Sequence, residues 1–285
     1  MTNTSTPANA STSRADPGMD GELFWPSQEV VRQANVPDWD AVAKQAAKDL
    51  PGFWEDQARN LEWFSQWTTV LDESQKPFYK WFTGAQVNIV HNCLDRYQDT
   101  PTRNKLALIW EGEQGEQREF SYATLHTEVS RFANVLKSLG VVRGDRVTIY
   151  MSRVPEIIVA MLACAKLGAI HSVVYGGFSV DSLAGRIDDS QSKVAITCDG
   201  GYLNGKIVAL KQIMDEALTR CPTVEHLVVV QRTRADINWV DGRDQWYHDL
   251  MAAPEISDDC PTEVMDAEDP LYMLYTSGRD RKSVV

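Results

Sequence analysis

The sequence predicts an α/β protein: a parallel βαβ sheet with flanking helices, preceded by a small, mostly helical, tryptophan-rich domain. Three observations carry that expectation. From residue 120 onward short apolar runs alternate with helix-period segments. Two of those runs end in Gly-Gly turns, Gly176-Gly177 and Gly200-Gly201. Six of the nine tryptophans (Trp25, Trp39, Trp54, Trp63, Trp67, Trp81) fall in a stretch broken by Pro26, Pro37, Pro51 and Pro77. Strands joined by helical crossovers lie parallel with right-handed connections, whereas a proline-broken stretch cannot be one long helix.

The elements read in order. Residues 1–22 open with Thr, Ser, Ala, Asn and Pro and hold no apolar segment, which predicts a disordered tail and excludes a secretory signal. Residues 23–95 read as short helices whose indoles staple the segment to a larger body, because Trp buries much area at low entropic cost. Ser121 is an N-cap, and Leu125, Val129, Phe132, Leu136 and Leu139 recur at the helical period until Gly140 stops the helix. Residues 146–151 form a strand, Pro155 opens a helix that ends at Gly168, and 169–175 form a second strand. Ser179 caps a helix to about Asp189, and 193–198 make a third strand ending in Asp199-Gly200-Gly201. A helix from about 205 to 218, a strand at 224–230 and a polar stretch follow. A last short strand, 271–275, runs into Thr276-Ser277-Gly278. The organisation is therefore a tail (1–22), a Trp-rich segment (23–95), an incomplete α/β domain (96–278) and a non-native tail (279–285).

Composition excludes several classes. A formal net charge of −12 argues against nucleic-acid binding, which draws its affinity from clustered Lys and Arg. The five cysteines are scattered without a Cys-x-x-Cys pair, and the five histidines lack metal-ligand spacing, so buried thiols in a reducing compartment and no metal site are expected. No run of about 18 apolar residues exists for a membrane span. A cytoplasmic protein with small-molecule partners and no nucleic-acid or membrane partner is the expectation; the oligomeric state is open.

At the end of the last strand, Thr276, Ser277 and Gly278 are residues whose hydroxyls and backbone N–H groups can wrap a phosphate. Alone the triplet is weak. The specific signal lies upstream, in Leu-Gly-Val-Val-Arg-Gly-Asp-Arg-Val-Thr-Ile-Tyr-Met at 139–151, Pro155-Glu156, and Met-Leu-Ala-Cys-Ala-Lys-Leu-Gly-Ala-Ile-His-Ser-Val-Val-Tyr-Gly-Gly-Phe-Ser at 161–179. With Asp38-Trp39-Asp40, Trp63-Phe64 and the run from Phe78 to Phe82, these motifs resemble the adenylate-forming acyl-CoA synthetases, and within them the AMP-forming acetyl-CoA synthetases (acetate–CoA ligases). The resemblance covers 23–278. It implies the large N-terminal domain of the adenylate-forming fold, an acetyl-CoA-synthetase-type N-terminal segment at 23–95 and part of the AMP-binding domain at 96–278.

The resemblance implies a two-step reaction: acetate attacks the α-phosphate of ATP to give acetyl-AMP and pyrophosphate, and the coenzyme A thiol then displaces AMP. ATP and CoA are the expected substrates with Mg²⁺, whose ligands the resemblance puts outside this stretch, as it does every catalytic residue. It assigns the ATP phosphates to Thr276, Ser277 and Gly278, and CoA to Tyr175, Gly176, Gly177, Leu203, Asn204, Gly205 and Lys206. Leu203 stands where the family usually has Arg, and Lys206 keeps one charge in place of a second Arg, so CoA affinity is expected to be lower. After Gly278 the family continues through a second Gly to Lys-Pro-Lys-Gly, whereas this chain reads Arg279-Asp280-Arg281-Lys282-Ser283-Val284-Val285. That run fits no Walker A motif, because Arg281 stands where Gly must precede the Lys. Residues 280–285 spell the translation of a sequencing-adapter end, so an inactive amino-terminal fragment is expected. Propionyl- or other short-chain acyl-CoA synthetases, and a non-catalytic CoA-binding module, stay open as alternatives. A nicotinamide-dependent oxidoreductase does not, since Ser152-Arg153-Val154-Pro155 follows the first strand instead of Gly-x-Gly-x-x-Gly.

Overall fold

The computed structural model describes residues 26–36 and 38–275. Thr276, Ser277 and Gly278, and the expected tails at 1–22 and 279–285, lie outside the described residues. The chain divides into two compact units, one ending at Phe53 and the other beginning at Trp54. In the first, α1 (Gln28–Gln33) is capped by Ser27, whose hydroxyl accepts from Val30 N, and α2 (Trp39–Lys48) by Asp38, which accepts from Ala41 N at 2.9 Å. Helix α3 (Leu50–Ala58) follows. Trp39 is 72% exposed.

The second unit begins as a helix end and turns to strand. β1 (Thr69–Asp72) and β2 (Lys80–Thr83) form an antiparallel hairpin, followed by β3 (Gln86–Val87). Here the tryptophans pack on one another: Trp63, Trp67 and Phe82 form a ring cluster with centroids 5.2 to 5.3 Å apart. Residues 265–266 pair with β3, and Trp81 N donates to Glu268 Oε1 at 2.7 Å, which ties the hairpin to the far end of the chain. After α4 (Ile89–Cys93) comes a second hairpin, β4 (Leu106–Glu111) with β5 (Gln117–Ser121).

The predicted alternation then follows. α5 (Tyr122–Ser138) starts on Ser121, whose hydroxyl accepts from Thr124 N, and ends at Gly140 in the left-handed region (φ 76°). Its inward stripe, Leu125, Val129, Phe132 and Leu136, is buried. β6 (Arg146–Tyr150), α6 (Glu156–Lys166), β7 (Ile170–Val173), α7 (Val180–Ser190) and β8 (Val194–Cys198) complete three strands with two crossovers. The helix predicted from 205 begins only at Leu210. Residues 201–208 instead form a hairpin of β9 (Gly201–Leu203) and β10 (Lys206–Val208) around Asn204-Gly205, both at positive φ (52° and 73°). Asn-Gly favours this two-residue turn because both central residues must enter the left-handed region. α8 (Leu210–Leu218), β11 (His226–Val230), β12 (Asp244–Trp246), α9 (Tyr247–Ala252), β13 (Met265–Asp266) and β14 (Tyr272–Met273) close the order.

Six strands form one parallel sheet in the order β12-β11-β8-β6-β7-β14. Strand order reverses at β6: β7 lies on one side and β8 on the other, so right-handed crossovers put α6 and α7 on opposite faces. All five residues of β8 are buried, and Val147, Ile149, Ile196, Leu227, Val228 and Val229 are fully enclosed. Each aliphatic side chain enclosed in this way contributes about 1.5–3 kcal/mol.

Two buried polar groups fasten the 88–95 segment to the sheet domain. Asn88 donates to the carbonyls of Ala165 and Glu263, each at 2.9 Å. Lys166, whose side chain is 2% exposed, places its ammonium 2.9 Å from Asp95 Oδ1 and 2.7 Å from Thr262 Oγ1, while His126 approaches the same carboxylate at 3.2 Å. Burial alone would raise the Asp95 carboxyl, but hydrogen bonds from His126, Thr262 and Lys166 hold it well below the usual carboxylate range. Asp95→Ala strands a buried ammonium and should cost about 3–5 kcal/mol in urea unfolding at neutral pH. Because the folded carboxyl titrates lower than the unfolded one, the pair's contribution is present above the ordinary carboxylate value and is lost as pH falls through the lowered one. The gap between wild type and Asp95→Ala should therefore close on acidification, and a gap that does not vary with pH would refute this role.

Candidate functional site

A cleft of about 640 Å³ opens where the strands of the sheet end. Its walls come from Met151, Ser152 and Arg153 after β6, from Tyr175, Gly176 and Gly177 after β7, from Gly201 to Leu203 after β8, and from Arg232 after β11. Trp110 and residues 111–113 of the β4–β5 hairpin form a further wall. This is the edge where open α/β sheets hold ligands, next to the point where strand order reverses.

Asp199 ties two of these loops together. Its carboxylate, 2% exposed, accepts from the backbone N–H of Gly200 at 2.7 Å, Arg232 at 2.7 Å and Thr233 at 2.9 Å. Charge-assisted bonds of this kind are about twice as strong as neutral ones. The Gly-Gly pair that follows is sterically required. A Cβ at Gly200 would lie 2.7 Å from Thr233 Oγ1, and one at Gly201 2.7 Å from Ser152 Cβ. On the neighbouring loop, the hydroxyl of the enclosed Tyr150 lies 3.1 Å from the Gly176 carbonyl and 3.3 Å from that of Phe178, donating into the turn from beneath.

Of the residues predicted from sequence, Tyr175, Gly176, Gly177 and Leu203 line the cleft. Asn204, Gly205 and Lys206 do not; they form and follow the β9–β10 hairpin tip, where the Glu113 carboxylate accepts from Gly205 N. Sequence reasoning missed Arg232, Trp110 and Tyr202. The Arg232 guanidinium lies over both rings, 5.2 Å from the Trp110 centroid and 4.7 Å from that of Tyr202, and pairs with Glu116 at 2.6 Å. Its bond to Glu116 raises the Arg232 pKa, and the same bond lowers the Glu116 carboxyl. The one signal for Arg232 was its place just beyond the carboxyl end of a buried strand.

The cleft contains no activated thiol. Burial pushes Cys164 and Cys198 up to about 12 and Cys93 to about 11, and all five cysteines are free. Among the described residues no group of three or more His, Cys, Asp or Glu side chains could hold a metal ion. The cleft offers a ligand the guanidinium groups of Arg153 and Arg232 and close approach to the backbone at its glycines.

Residues 95–278 match the family model described as AMP-binding enzyme, and residues 39–93 match that described as acetyl-coenzyme A synthetase N-terminus. The chain is 46% identical over 264 residues to the acetyl-coenzyme A synthetase of Leptospira biflexa, a match covering 90% of this chain and 40% of that protein. It is 48% identical over 258 residues to the acetyl-coenzyme A synthetase of Rubrobacter xylanophilus (90% and 39%) and 47% identical over 263 to acetyl-coenzyme A synthetase 2 of Pseudomonas aeruginosa (90% and 40%). Among solved structures, acetoacetyl-CoA synthetase from Streptomyces lividans superposes with a TM-score of 0.78 at 25% identity, covering 89% of this chain and 41% of that one. The chain thus spans about 40% of the length of the relatives it matches.

Arg232→Ala removes two ring contacts, which should lower stability by about 1–2 kcal/mol in denaturant unfolding. Arg232→Lys should recover less than half of that, since an ammonium cannot stack as a planar guanidinium does. Full recovery by Lys would show that charge alone matters at this position.

Proposed function

The chain belongs to the AMP-binding enzyme family, and on that premise we propose that the protein activates acetate with ATP and passes the acetyl group to coenzyme A. The observation that carries this reading is identity of 46–48% to acetyl-coenzyme A synthetases across about nine-tenths of the chain, beginning in the segment ahead of the sheet domain. In the first step an acetate oxygen attacks the α-phosphorus of ATP and pyrophosphate leaves. In the second the CoA sulfur attacks the acyl carbon and AMP leaves. Neither step needs a covalent bond to the protein, so the protein's work is positioning and neutralising charge. Mg²⁺ would supply neutralisation of phosphate charge, held by residues that this reading puts outside the described ones.

Within this reading, Thr276, Ser277 and Gly278 hold ATP phosphates. Gly176 and Gly177 let backbone approach the CoA nucleotide, with Tyr175 and Leu203 as apolar walls. Lys206 supplies one cation for the ribose phosphate from the hairpin around Asn204-Gly205. A second cation is lacking at Leu203, where a bidentate guanidinium would strengthen phosphate binding.

Two measurements test the reading. Titration calorimetry of this chain with CoA should give heat that Lys206→Ala diminishes and Leu203→Arg strengthens by roughly tenfold in affinity. Absence of heat in all three proteins would sink the CoA assignment. Acetate-dependent ATP–pyrophosphate exchange by the gene product at the full length of its relatives tests the first step, and exchange with propionate but not acetate would redirect it to another short-chain acid.

A further inference from the structure

We propose that Arg186 is a positioning residue that clamps the glycine-rich turn after β7 to the segment leaving β14, so that the loop assigned to CoA and Tyr275, the residue before those assigned to ATP phosphates, keep one fixed spacing. The inference deepens the proposed function and rests on it for the ligands, but the clamp itself is read from side-chain geometry.

Arg186 lies two turns into α7, the helix that Ser179 caps directly after the turn. Its guanidinium carbon is 4.5 Å from the ring centroid of Phe178 and 5.1 Å from that of Tyr275. One cation therefore contacts an aromatic ring from each loop. The guanidinium is anchored along its own helix, donating to the Ser182 carbonyl at 2.8 Å and to the Ser182 hydroxyl. Among the described residues no carboxylate pairs with it within 4.0 Å, so the rings and Ser182 hold the group. A planar guanidinium can stack on two rings in a way an ammonium cannot.

Each loop also has a contact of its own, and the guanidinium is the group that touches a ring from both. The Tyr275 hydroxyl donates to Asp189 Oδ2 at 2.7 Å and lies 3.3 Å from the Arg186 carbonyl, so Tyr275 is held to the last turn of α7 at its polar end as well. Phe178 sits in the turn that Tyr150 holds from beneath, and its ring meets Tyr175 edge to face at 5.8 Å. Tyr175 and Leu274 line the cleft. A contact path thus runs from the cleft through Tyr175 and Phe178 to Arg186, then to Tyr275, the residue before Thr276. An occupant that orders one loop will order the other, and this coupling must be reciprocal.

Hydrogen exchange followed by mass spectrometry tests the clamp in the chain as it exists. Without ligand, Arg186→Gln should speed exchange in peptides covering 175–179 and 271–275 together, each by about fivefold, the scale of one lost cation–ring contact. Peptides of β8 and β11 should be unaffected, which separates a loop effect from general destabilisation. Tyr275→Leu should speed exchange at 175–179 although it alters only the other loop, and this arm decides the matter if Arg186→Gln does not fold. Unchanged exchange at either loop in Arg186→Gln, or at 175–179 in Tyr275→Leu, would overturn the clamp. Added CoA should slow exchange at both loops in wild type but only at 175–179 in Arg186→Gln. Slowing at 271–275 that survives in Arg186→Gln would also overturn it. If CoA slows neither loop in wild type, the CoA reading of the cleft fails, and the ligand-free measurements still judge Arg186.

Discussion

Parallel pairing of β6, β8 and β11 is the constraint on which the rest of the structure depends. A parallel ladder needs a crossover between successive strands and cover on both faces, which is why β8 is buried along its whole length and why α6 and α7 take opposite faces. The same pairing puts every carboxyl end on one edge. The loops after β6, β7, β8 and β11 must then meet, and the cleft is where they do.

Buried charges fix how those loops and the outer segments join this sheet. Asp199 binds three backbone N–H groups from two loops. Lys166 and Asp95 hold the 88–95 segment, and Lys211, fully buried, lies 2.8 Å from both Asp215 and Asp244 and 2.9 Å from the Asn238 carbonyl. Arg243 closes the last cluster on the same two carboxylates. Each cluster joins segments distant in sequence at one geometry. Hydrophobic residues could fill the same volume, but without specifying direction.

With a net charge of −12, any anionic ligand must be attracted by local groups. The cleft's lining carries both signs, with Glu111 and Glu113 on the hairpin wall. Arg153 and Arg232 line it, Lys206 stands on the adjoining hairpin, and glycines open the backbone at 176–177 and 200–201. Arg232 is oriented by Trp110, Tyr202 and Glu116, so part of its charge is already balanced inside the protein.

What was legible in the sequence was local. Ser121 and Ser179 as caps, Gly140 and Gly168 as stops, and the apolar runs of β6, β7, β8 and β11 each encode their own structure within a few residues, because capping and strand burial depend on neighbouring backbone. That Gly176-Gly177 follows a strand at the sheet's carboxyl edge was legible for the same reason, since a Gly-Gly turn after a strand carries its own signal. Asn204-Gly205 carries a hairpin signal of its own, and the structure uses it as a turn where a helix start is expected from the helical period that follows. Only the tertiary structure brought Arg232 between Trp110 and Tyr202, Asp95 against Lys166, and Arg186 between Phe178 and Tyr275. These contacts join residues far apart in the chain, and side chains so separated meet only after strand order is set. The sequence by itself determined the caps, the stops and the buried strands of the central sheet; the order in which the strands pair decided which side chains share a cleft.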